Sequence, residues 1–206
     1  NAGAAASGTN FQTFTAFANT VSSAGVCGAV VVDVVANSGP YAEKMEFNEI
    51  PGASATNTIR INGNGNTINF NGGSGNRMCI LLNGTDYMTI DNLKLDGTAG
   101  TVGYGIILTN NADNNVISNN EVELGNSTSS LFGGIGMSNS RTSMTSSGSV
   151  SGENNMISGN SVNGGYYAYT VMGPNTTTFA SGNSIINNTC TNTYFYGLYC
   201  FYQANV

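Results

Sequence analysis

The chain has 206 residues, of which 40% are hydrophobic and only 8% are charged, and its formal net charge is −6. This composition supports one elongated domain whose surface is mostly uncharged Asn, Ser, Thr and Gly. The five basic residues are scattered and there is no run of about eighteen apolar residues, so the sequence predicts neither a nucleic-acid-binding stripe nor a membrane span.

The beginning of the chain predicts a capping helix. Its first ten residues, NAGAAASGTN, lack the basic and apolar segments of a signal peptide, so we expect either a mature chain after signal removal or the start of a fragment. Four apolar side chains then recur at helical spacing before a stop at Gly25: Phe11, Phe14, Phe17 and Val21. We expect the helix, over residues 10–25, to cover the end of a core.

Short strands with Gly and Pro turns are predicted over residues 26–76. The first strand places Val30, Val32 and Val34 on one face, and further strands are expected at 44–50, 58–62 and 67–71. A Pro51-Gly52 turn and an NGNG segment separate them. We interpret this region as the first, irregular coils of a repeat architecture.

The sequence then repeats a unit of two short alternating strands over residues 77–206. The clearest copy is YGIILTNNADNNVISNNEVELG, and its second half contains Ile117. Equivalent residues occur at Ile90, Ile157 and Ile185, with spacings of 27, 40 and 28 residues. Such a period is typical of a β-solenoid, in which each coil buries its inward side chains against neighbouring coils. We predict one all-β domain, a right-handed single-stranded parallel β-helix.

The first half of the unit predicts which side chains point inward. Its alternating apolar positions are Cys79 and Leu81, Ile106 and Leu108, Ile135 and Met137, Tyr169 and Val171, and Leu198 and Cys200. The same alignment places Tyr104, Tyr167 and Tyr196 in one column, which predicts an aromatic ladder along an edge.

Abundant Asn residues at the turns predict side-chain ladders. Equivalent turn residues of stacked coils lie about 4.8 Å apart, and Asn tolerates left-handed backbone. We expect two stacks, one of Asn92, Asn119 and Asn187 and the other of Asn83, Asn110 and Asn139. These residues are interpreted as structural rather than ligand-binding.

Two segments depart from the regular repeat. Residues 140–153, SRTSMTSSGSVSGE, make one coil roughly 12 residues longer than usual, which predicts a mobile or protruding Ser/Thr-rich loop. The last coil begins but does not close after Cys200. We expect this end to be covered by further chain or by a neighbouring copy in head-to-tail contact, with residues 194–202 in the contact.

One pair of carboxylates is a candidate for catalysis. Asp96 aligns with Glu123, and Lys94 aligns with Glu121, all on the outward face of adjacent coils. Carboxylates at that separation are compatible with a retaining glycosidase or with a cation such as Ca²⁺. The alternative interpretation is a solvated face with a weak surface ion pair. The single GGSGN segment is a poor calcium motif, because the acidic residue of the repeat is Asn76 here.

The cysteines and the late tyrosines each allow two interpretations, one functional and one structural. Cys190 and Cys200 are the pair most suited to a disulfide, although inward free thiols are the default. The chain has neither a His nor a CxxC motif, so we expect no zinc site and no other cofactor. Six late tyrosines form a candidate surface for assembly or glycan contact, with ordinary edge packing as the alternative: Tyr166, Tyr167, Tyr194, Tyr196, Tyr199 and Tyr202.

Several of these segments carry a resemblance to a known family. The runs SGTNFQTFTAFANTVSSAGVCGAVVVDV, IPGASATNTIRINGNGNTI, LNGTDYMTIDNLKLDG and YGIILTNNADNNVISNN resemble the N-terminal part of large secreted parallel β-helix proteins of Bacteroidetes. The resemblance covers most of the chain and implies an extracellular, cell-surface location, export by the type IX route and an adhesin-like role. It implies no catalytic residues.

Together these observations favour a non-catalytic extracellular β-helix, either a surface adhesin segment or a subunit of a surface fibre that assembles end to end. The expected partners are further β-helix coils, neighbouring identical subunits or surface glycans. The alternative function is a polysaccharide lyase or glycoside hydrolase that uses Asp96 and Glu123. Ice binding is less favoured, because no Thr-x-Thr ladder repeats at coil spacing.

Overall fold

The computed structural model describes residues 10–149 and 152–206. In these residues one helix precedes a series of short strands. They are α1 (Phe14–Ala24), β1 (Val30–Asp33), β2 (Met45–Asn48), β3 (Ile59–Asn62), β4 (Thr67–Asn69), β5 (Met78–Asn83), β6 (Met88–Asp91), β7 (Lys94–Asp96), β8 (Gly103–Thr109), β9 (Val116–Ser118), β10 (Glu121–Glu123), β11 (Phe132–Met137), β12 (Met156–Ser158), β13 (Ser161–Asn163), β14 (Tyr167–Met172), β15 (Ala180–Ser181), β16 (Ser184–Ile186), β17 (Thr189–Thr191), β18 (Tyr196–Phe201) and β19 (Gln203–Ala204).

The strands form three parallel sheets that wind around one core. The first sheet has the order β1-β3-β6-β9-β12-β16, the second β4-β7-β10-β13-β17, and the third β2-β5-β8-β11-β14-β18. Each strand pairs in parallel with its equivalent in the next coil, and the short strands β15 and β19 pair separately. The predicted parallel β-solenoid is therefore confirmed, with six coils in the described residues.

The helix α1 begins and ends at residues that the sequence marks. The side chain of Thr13 accepts a hydrogen bond from the Ala16 N–H at 3.1 Å, which satisfies a donor that the first turn leaves without a helical partner. Gly25 ends the helix with φ 73°, a left-handed conformation that glycine adopts without steric cost.

This helix covers the first coil, as predicted. Its apolar face is buried, and the Phe17 ring lies 6.0 Å from the ring of Phe47 in β2. The Ser22 hydroxyl accepts a hydrogen bond from the Asn48 N–H at 3.3 Å. The helix thus shields both the apolar side chains and part of the exposed strand edge at this end.

The core consists of inward side chains stacked in columns along the solenoid. The central columns are Ile61, Ile90, Ile117, Ile157 and Ile185 in the first sheet, Ile68, Leu95, Val122, Val162 and Cys190 in the second, and Met45, Ile80, Ile106, Ile135, Tyr169 and Leu198 in the third. All are buried except the last member of each column. The interior is therefore closed along its length and uncovered at the sixth coil.

Of the two residues predicted to point inward in β5, Cys79 lies in the main core, as expected, but Leu81 does not. Ile80 pairs with Ile106, so Ile80 occupies the inward column and Leu81 points outward. Leu81 is nevertheless fully buried. Because residues 78–82 are apolar and buried on both faces of the sheet, they carry no alternation from which the register could be read.

The outer face of β5 is buried because the long insertion folds back over it. We call residues 139–149 the strap. Its Met144 is 1% exposed and packs in a second core cluster with Met78, Leu81, Tyr104 and Ile107. The expectation of a protruding loop is therefore wrong for the strap, while residues 150 and 151 lie outside the described residues.

Polar contacts anchor the strap at several points. The guanidinium of Arg141 donates two hydrogen bonds to the Glu46 carboxylate, at 3.1 and 2.6 Å. The Tyr104 hydroxyl donates to the Thr142 carbonyl at 3.4 Å. A Cβ at Gly133 would lie 1.9 Å from the Met144 sulfur, so the missing side chain creates the space that Met144 fills.

A ladder of buried Asn side chains runs along one corner of the solenoid. The Asn120 N–H and side-chain amide both donate to Asn160 Oδ1, at 2.9 and 3.0 Å. Asn160 repeats the pattern with Asn188 Oδ1, at 2.9 and 3.0 Å. Each side chain also donates to a backbone carbonyl of an earlier coil, as Asn160 does to Ile117 at 2.8 Å. Every rung thus connects three coils.

A second ladder lies at the corner on the other side of the first sheet. Asn115 donates to Asn155 Oδ1 from its backbone at 2.9 Å and from its side chain at 3.1 Å, and Asn155 contacts Asn183 in the same way. Asn183 then donates to Gln203 Oε1 at 2.8 Å. This ladder was not predicted from the sequence, although an Asn five residues before Asn120, Asn160 and Asn188 signals it.

The predicted Asn stacks are partly correct. Asn92, Asn119 and Asn187 do share one corner, each with φ 55°, but the hydrogen-bonded rungs come from the residue that follows. The second predicted stack is wrong at Asn83, which pairs with Thr109 rather than Asn110. A left-handed residue turns the chain so that the next side chain points inward, and sequence alone did not show which of two adjacent Asn residues takes each role.

We expect Asn160→Ala to destabilise the fold by about 3 kcal/mol or more, since it leaves several buried groups of Asn120, Ile117 and Asn188 without partners at about 1–3 kcal/mol each. Asn187→Gly is the matched control, because Gly159 already holds that position in the neighbouring coil, and it should change stability by less than about 1 kcal/mol. Urea unfolding measures both. Equal losses of stability in the two variants would show that the buried rung contributes no more to stability than the turn residue beside it.

Candidate functional site

The largest cluster of exposed rings lies at the last coil, and we call it the aromatic surface. It comprises Tyr166, Tyr167, Tyr194, Phe195, Tyr196, Tyr199, Phe201 and Tyr202. The rings contact one another continuously; Tyr167 and Tyr196 stack at 6.4 Å with 10° between their planes. Tyr194 and Phe195 are 58% and 52% exposed. The six tyrosines predicted as a contact surface therefore lie together.

The predicted tyrosine column exists, with one interruption. Tyr104, Gly133, Tyr167 and Tyr196 are paired in successive coils, and Met144 occupies the space at Gly133. Tyr104 is buried under the strap, whereas Tyr196 is 41% exposed. Partial burial raises the pKa of Tyr167, and a hydrogen bond with the Thr145 side chain opposes that rise. The strap thus reaches Tyr167 but contributes no described contact to Tyr196.

The last coil presents the inward columns to solvent, and we call this surface the open end. It consists of Ile185, Cys190, Leu198 and Cys200. Leu198 is 48% exposed although its equivalents in the preceding coils are buried. Asn188, the last rung of its ladder, also lies here. The open end therefore combines apolar side chains with an interrupted hydrogen-bond ladder.

The two candidate catalytic carboxylates occupy the predicted register. Asp96 pairs with Glu123 and Lys94 with Glu121, on β7 and β10. Asp96 Oδ1 accepts hydrogen bonds from the Thr98 N–H and hydroxyl at 3.0 and 2.6 Å, and Glu123 Oε2 accepts from the Asn163 amide at 2.7 Å. Each carboxylate therefore has its own polar partner.

One further acid and one base lie beside Asp96. A groove of about 460 Å³ is lined by Glu43, Lys44 and Asp96 together with Phe70, but Glu123 does not line it. Lys94 and Glu121 form an ion pair at 2.9 Å in which both side chains are about half exposed. No cluster of three or more His, Cys, Asp or Glu residues that could hold a metal occurs in the described part of the chain.

A row of acidic residues along one edge was missed by the sequence analysis. Asp86 Oδ1 accepts from the Asp113 N–H at 2.7 Å, and Asp113 Oδ1 accepts from the Glu153 N–H at 2.7 Å. Burial raises the pKa of Asp86 and of Asp113. Neighbouring acidic groups, Glu49 among them, raise these pKa values further, whereas the two backbone hydrogen bonds lower them. The signal was available, because each acid precedes the repeating Ile by four residues.

Cys190 and Cys200 lie where the repeat places them. All four cysteines are free thiols in the structure, and the candidate bridge between Cys190 and Cys200 stays a prediction. These two residues belong to different strands of the last coil, β17 and β18. Cys79 is buried and does not align with Ile106 as predicted, and burial raises the pKa of its thiol.

Comparisons of the chain with protein-family profiles, curated proteins and solved structures gave no match. Within residues 10–149 and 152–206, no helix has the length and apolar character needed to cross a membrane. Function must therefore be inferred from the geometry of the surfaces described above.

We expect Asp96→Asn combined with Glu123→Gln to change stability by less than about 1 kcal/mol, because both side chains are at the surface and the amides keep their acceptor oxygens. The double variant should show the same release of reducing or unsaturated sugar ends from polysaccharides as the original chain. A sugar-releasing activity that disappears in the double variant, with the fold unchanged, would instead support the enzymatic alternative.

We expect Asp113→Asn to raise the melting temperature at neutral pH. The pKa of the Asp113 carboxyl is higher in the folded chain than in the unfolded chain, so folding favours its protonated form. Its contribution to stability is therefore present below its ordinary pKa of 3.8 and is lost as the pH rises through the folded-state pKa. The Asn keeps an oxygen to accept the Glu153 N–H. Glu121→Gln, on an exposed face, is the control, and melting curves from acid to neutral pH should separate the two variants. An unchanged pH dependence in Asp113→Asn would contradict this assignment.

Proposed function

We propose that this protein is a non-catalytic structural β-solenoid of the cell exterior, which works by stacking its open end on another β-coil. The observation that carries the proposal is the exposure of the core columns at the sixth coil. Leu198, Cys190 and Cys200 occupy positions that are buried in every preceding coil from β5 onward. A coil buries such side chains only against a neighbouring coil.

The strand edges at this end support the same proposal. The third sheet ends at β18, whose outer edge has no neighbouring strand among the described residues. Unpaired edges with apolar side chains are templates for pairing with further strands. A parallel coil in register would continue the backbone hydrogen bonds, the apolar columns and the Asn ladder together.

The helix α1 restricts which coil can stack there. Because α1 packs over β2 and binds its edge through Ser22, a second copy cannot present its first coil without displacing that helix. The expected head-to-tail contact between identical chains is therefore less favourable than the sequence suggested. The open end is best matched by a coil that carries no capping helix.

The charge distribution supports a structural role outside the cell. Charged residues are few and, where paired, they connect elements of the fold, as Arg141 and Glu46 do between the strap and β2. The remaining surface is mostly uncharged Asn, Ser and Thr. A carbohydrate-active enzyme needs acids and bases that are free to act in a cleft. The charged side chains that line the Asp96 groove are each held by a neighbour: Glu43 accepts hydrogen bonds from Thr15, Lys44 donates to the Asn76 carbonyl, and Asp96 accepts from Thr98.

We expect the chain to associate in a concentration-dependent manner with the open ends of two copies in contact, because that contact leaves both capping helices in place. Leu198→Glu should suppress this association, because stacking would bury an unpaired carboxylate. Ile186→Glu is the matched control: Ile186 is 46% exposed on the same coil, but its column points outward. Sedimentation velocity over a range of concentrations measures the difference.

Two outcomes would contradict the stacking proposal. One is a chain that remains monomeric at every concentration, and the other is association that Leu198→Glu and Ile186→Glu reduce equally. Circular dichroism checks that both variants keep the solenoid fold.

A further inference from the structure

The outer face of the third sheet is apolar along much of its length. Two outward columns run along it: Met78, Tyr104, Gly133, Tyr167 and Tyr196 in one, and Leu81, Ile107, Gly136, Thr170 and Tyr199 in the other. From β5 onward neither column contains a charged residue, whereas in β2 Glu46 precedes Leu81 in the second column. Outward faces of solenoids ordinarily meet water, so these columns need a cover.

The strap is that cover over much of the sheet. It is anchored to β2 through Arg141 and Glu46, places Met144 over β5, β8 and β11, and reaches β14 through Thr145 and Tyr167. It is a turn-rich segment, mostly of Ser and Thr with one Met, and tyrosine hydroxyls of the column bind it. Tyr104 does so at the Thr142 carbonyl and Tyr167 at the Thr145 side chain.

The next tyrosine of the same column lacks this cover. Tyr196 is 41% exposed on β18, and the adjoining Phe195 and Phe201 are 52% and 44% exposed. The Tyr196 ring contacts Tyr167 and Tyr199, so the uncovered rings continue the face that the strap occupies. Aromatic side chains of the kind that hold the strap therefore continue one coil beyond it.

The absence of charge limits which class of partner this face can bind. Every charged residue of the chain lies at or before Glu153, so the residues that form the aromatic surface belong to a segment without any charge. A polyanion, a basic peptide or an acidic glycan would find no opposite charge there. The complementary partner is uncharged.

We propose that the aromatic surface docks a second, uncharged polypeptide segment rich in Ser and Thr with an apolar anchor, in the manner of the strap. The Tyr196 hydroxyl donates to a carbonyl of that segment, and the rings of Tyr196 and Tyr199 hold its anchor side chain. A segment of this kind suits a protein that works by assembly, so the inference rests on the proposed non-catalytic role. It concerns a different surface from the open end.

The test uses a labelled peptide with the sequence of residues 139–148, NSRTSMTSSG, in which Arg141→Gln removes the charge. It is titrated into the Leu198→Glu chain, so that association at the open end does not interfere, and binding is followed by fluorescence anisotropy. We expect saturable binding whose affinity is the same at low and high salt, since no charges take part. Tyr196→Ser should weaken it at least about tenfold, as expected for a central aromatic contact.

Matched controls separate docking from other effects. Met156→Ser removes a side chain that is also 41% exposed but lies on the first sheet, and it should leave the affinity unchanged. A peptide that also carries Met144→Asp should bind at least about tenfold more weakly, because the anchor is lost. Thermal melting confirms that each protein variant is folded.

Three results would overturn the inference. The first is the absence of peptide binding. The second is binding that Tyr196→Ser does not affect, which would indicate exchange with the strap at its own site. The third is saturable binding of a neutral oligosaccharide that depends on Tyr196 while the peptide does not bind, which would assign the surface to glycans. Failure of the stacking proposal would appear separately, in the sedimentation of Leu198→Glu and Ile186→Glu.

Discussion

The fold depends on the need to satisfy buried amide groups at the corners of the solenoid. A coil must turn sharply there, and its inward backbone groups cannot reach water, so each unpaired group would cost about 1–3 kcal/mol. Asn120 and Asn160 meet this need by donating and accepting in both directions along the stack. Because Asn120 and Asn160 each donate to the Oδ1 of the Asn in the next coil, the ladders also hold the register between coils, which the apolar columns alone specify less strictly.

The sequence predicted those parts of the structure that depend on a repeating signal. The solenoid and the register of Asp96 with Glu123 follow from residues that recur at coil spacing, and the capping helix follows from apolar residues at helical spacing; the structure confirms each of them. The strap could not be predicted, because its partner Glu46 lies 95 residues from Arg141 and nothing local connects them. The same strap hides the register of β5, since burial of the outward Leu81 removes the alternation from which register is read.

The candidate surfaces were predictable to different degrees for the same reason. The aromatic surface was visible, since its tyrosines align between coils, but whether a given ring is covered depends on the strap. Tyr104 and Tyr196 share a column, yet one is buried and the other is exposed. Aligned positions thus share an orientation but not an environment, and a ligand-binding role for either residue requires the structure.

The open end shows how weak a single uncovered coil is as an interface between separate molecules. A fully buried aliphatic side chain contributes about 1.5–3 kcal/mol, and Leu198 is already about half buried, so its further burial contributes roughly 1 kcal/mol. Association costs at least about 4 kcal/mol in lost rotational and translational freedom. Several apolar contacts, the continued strand pairing and the next Asn rung must therefore form together before two molecules stay stacked. A covalently connected coil would avoid most of that cost. The same exposed columns are thus sufficient to position a tethered coil firmly, but they hold separate chains together only when the chains are concentrated.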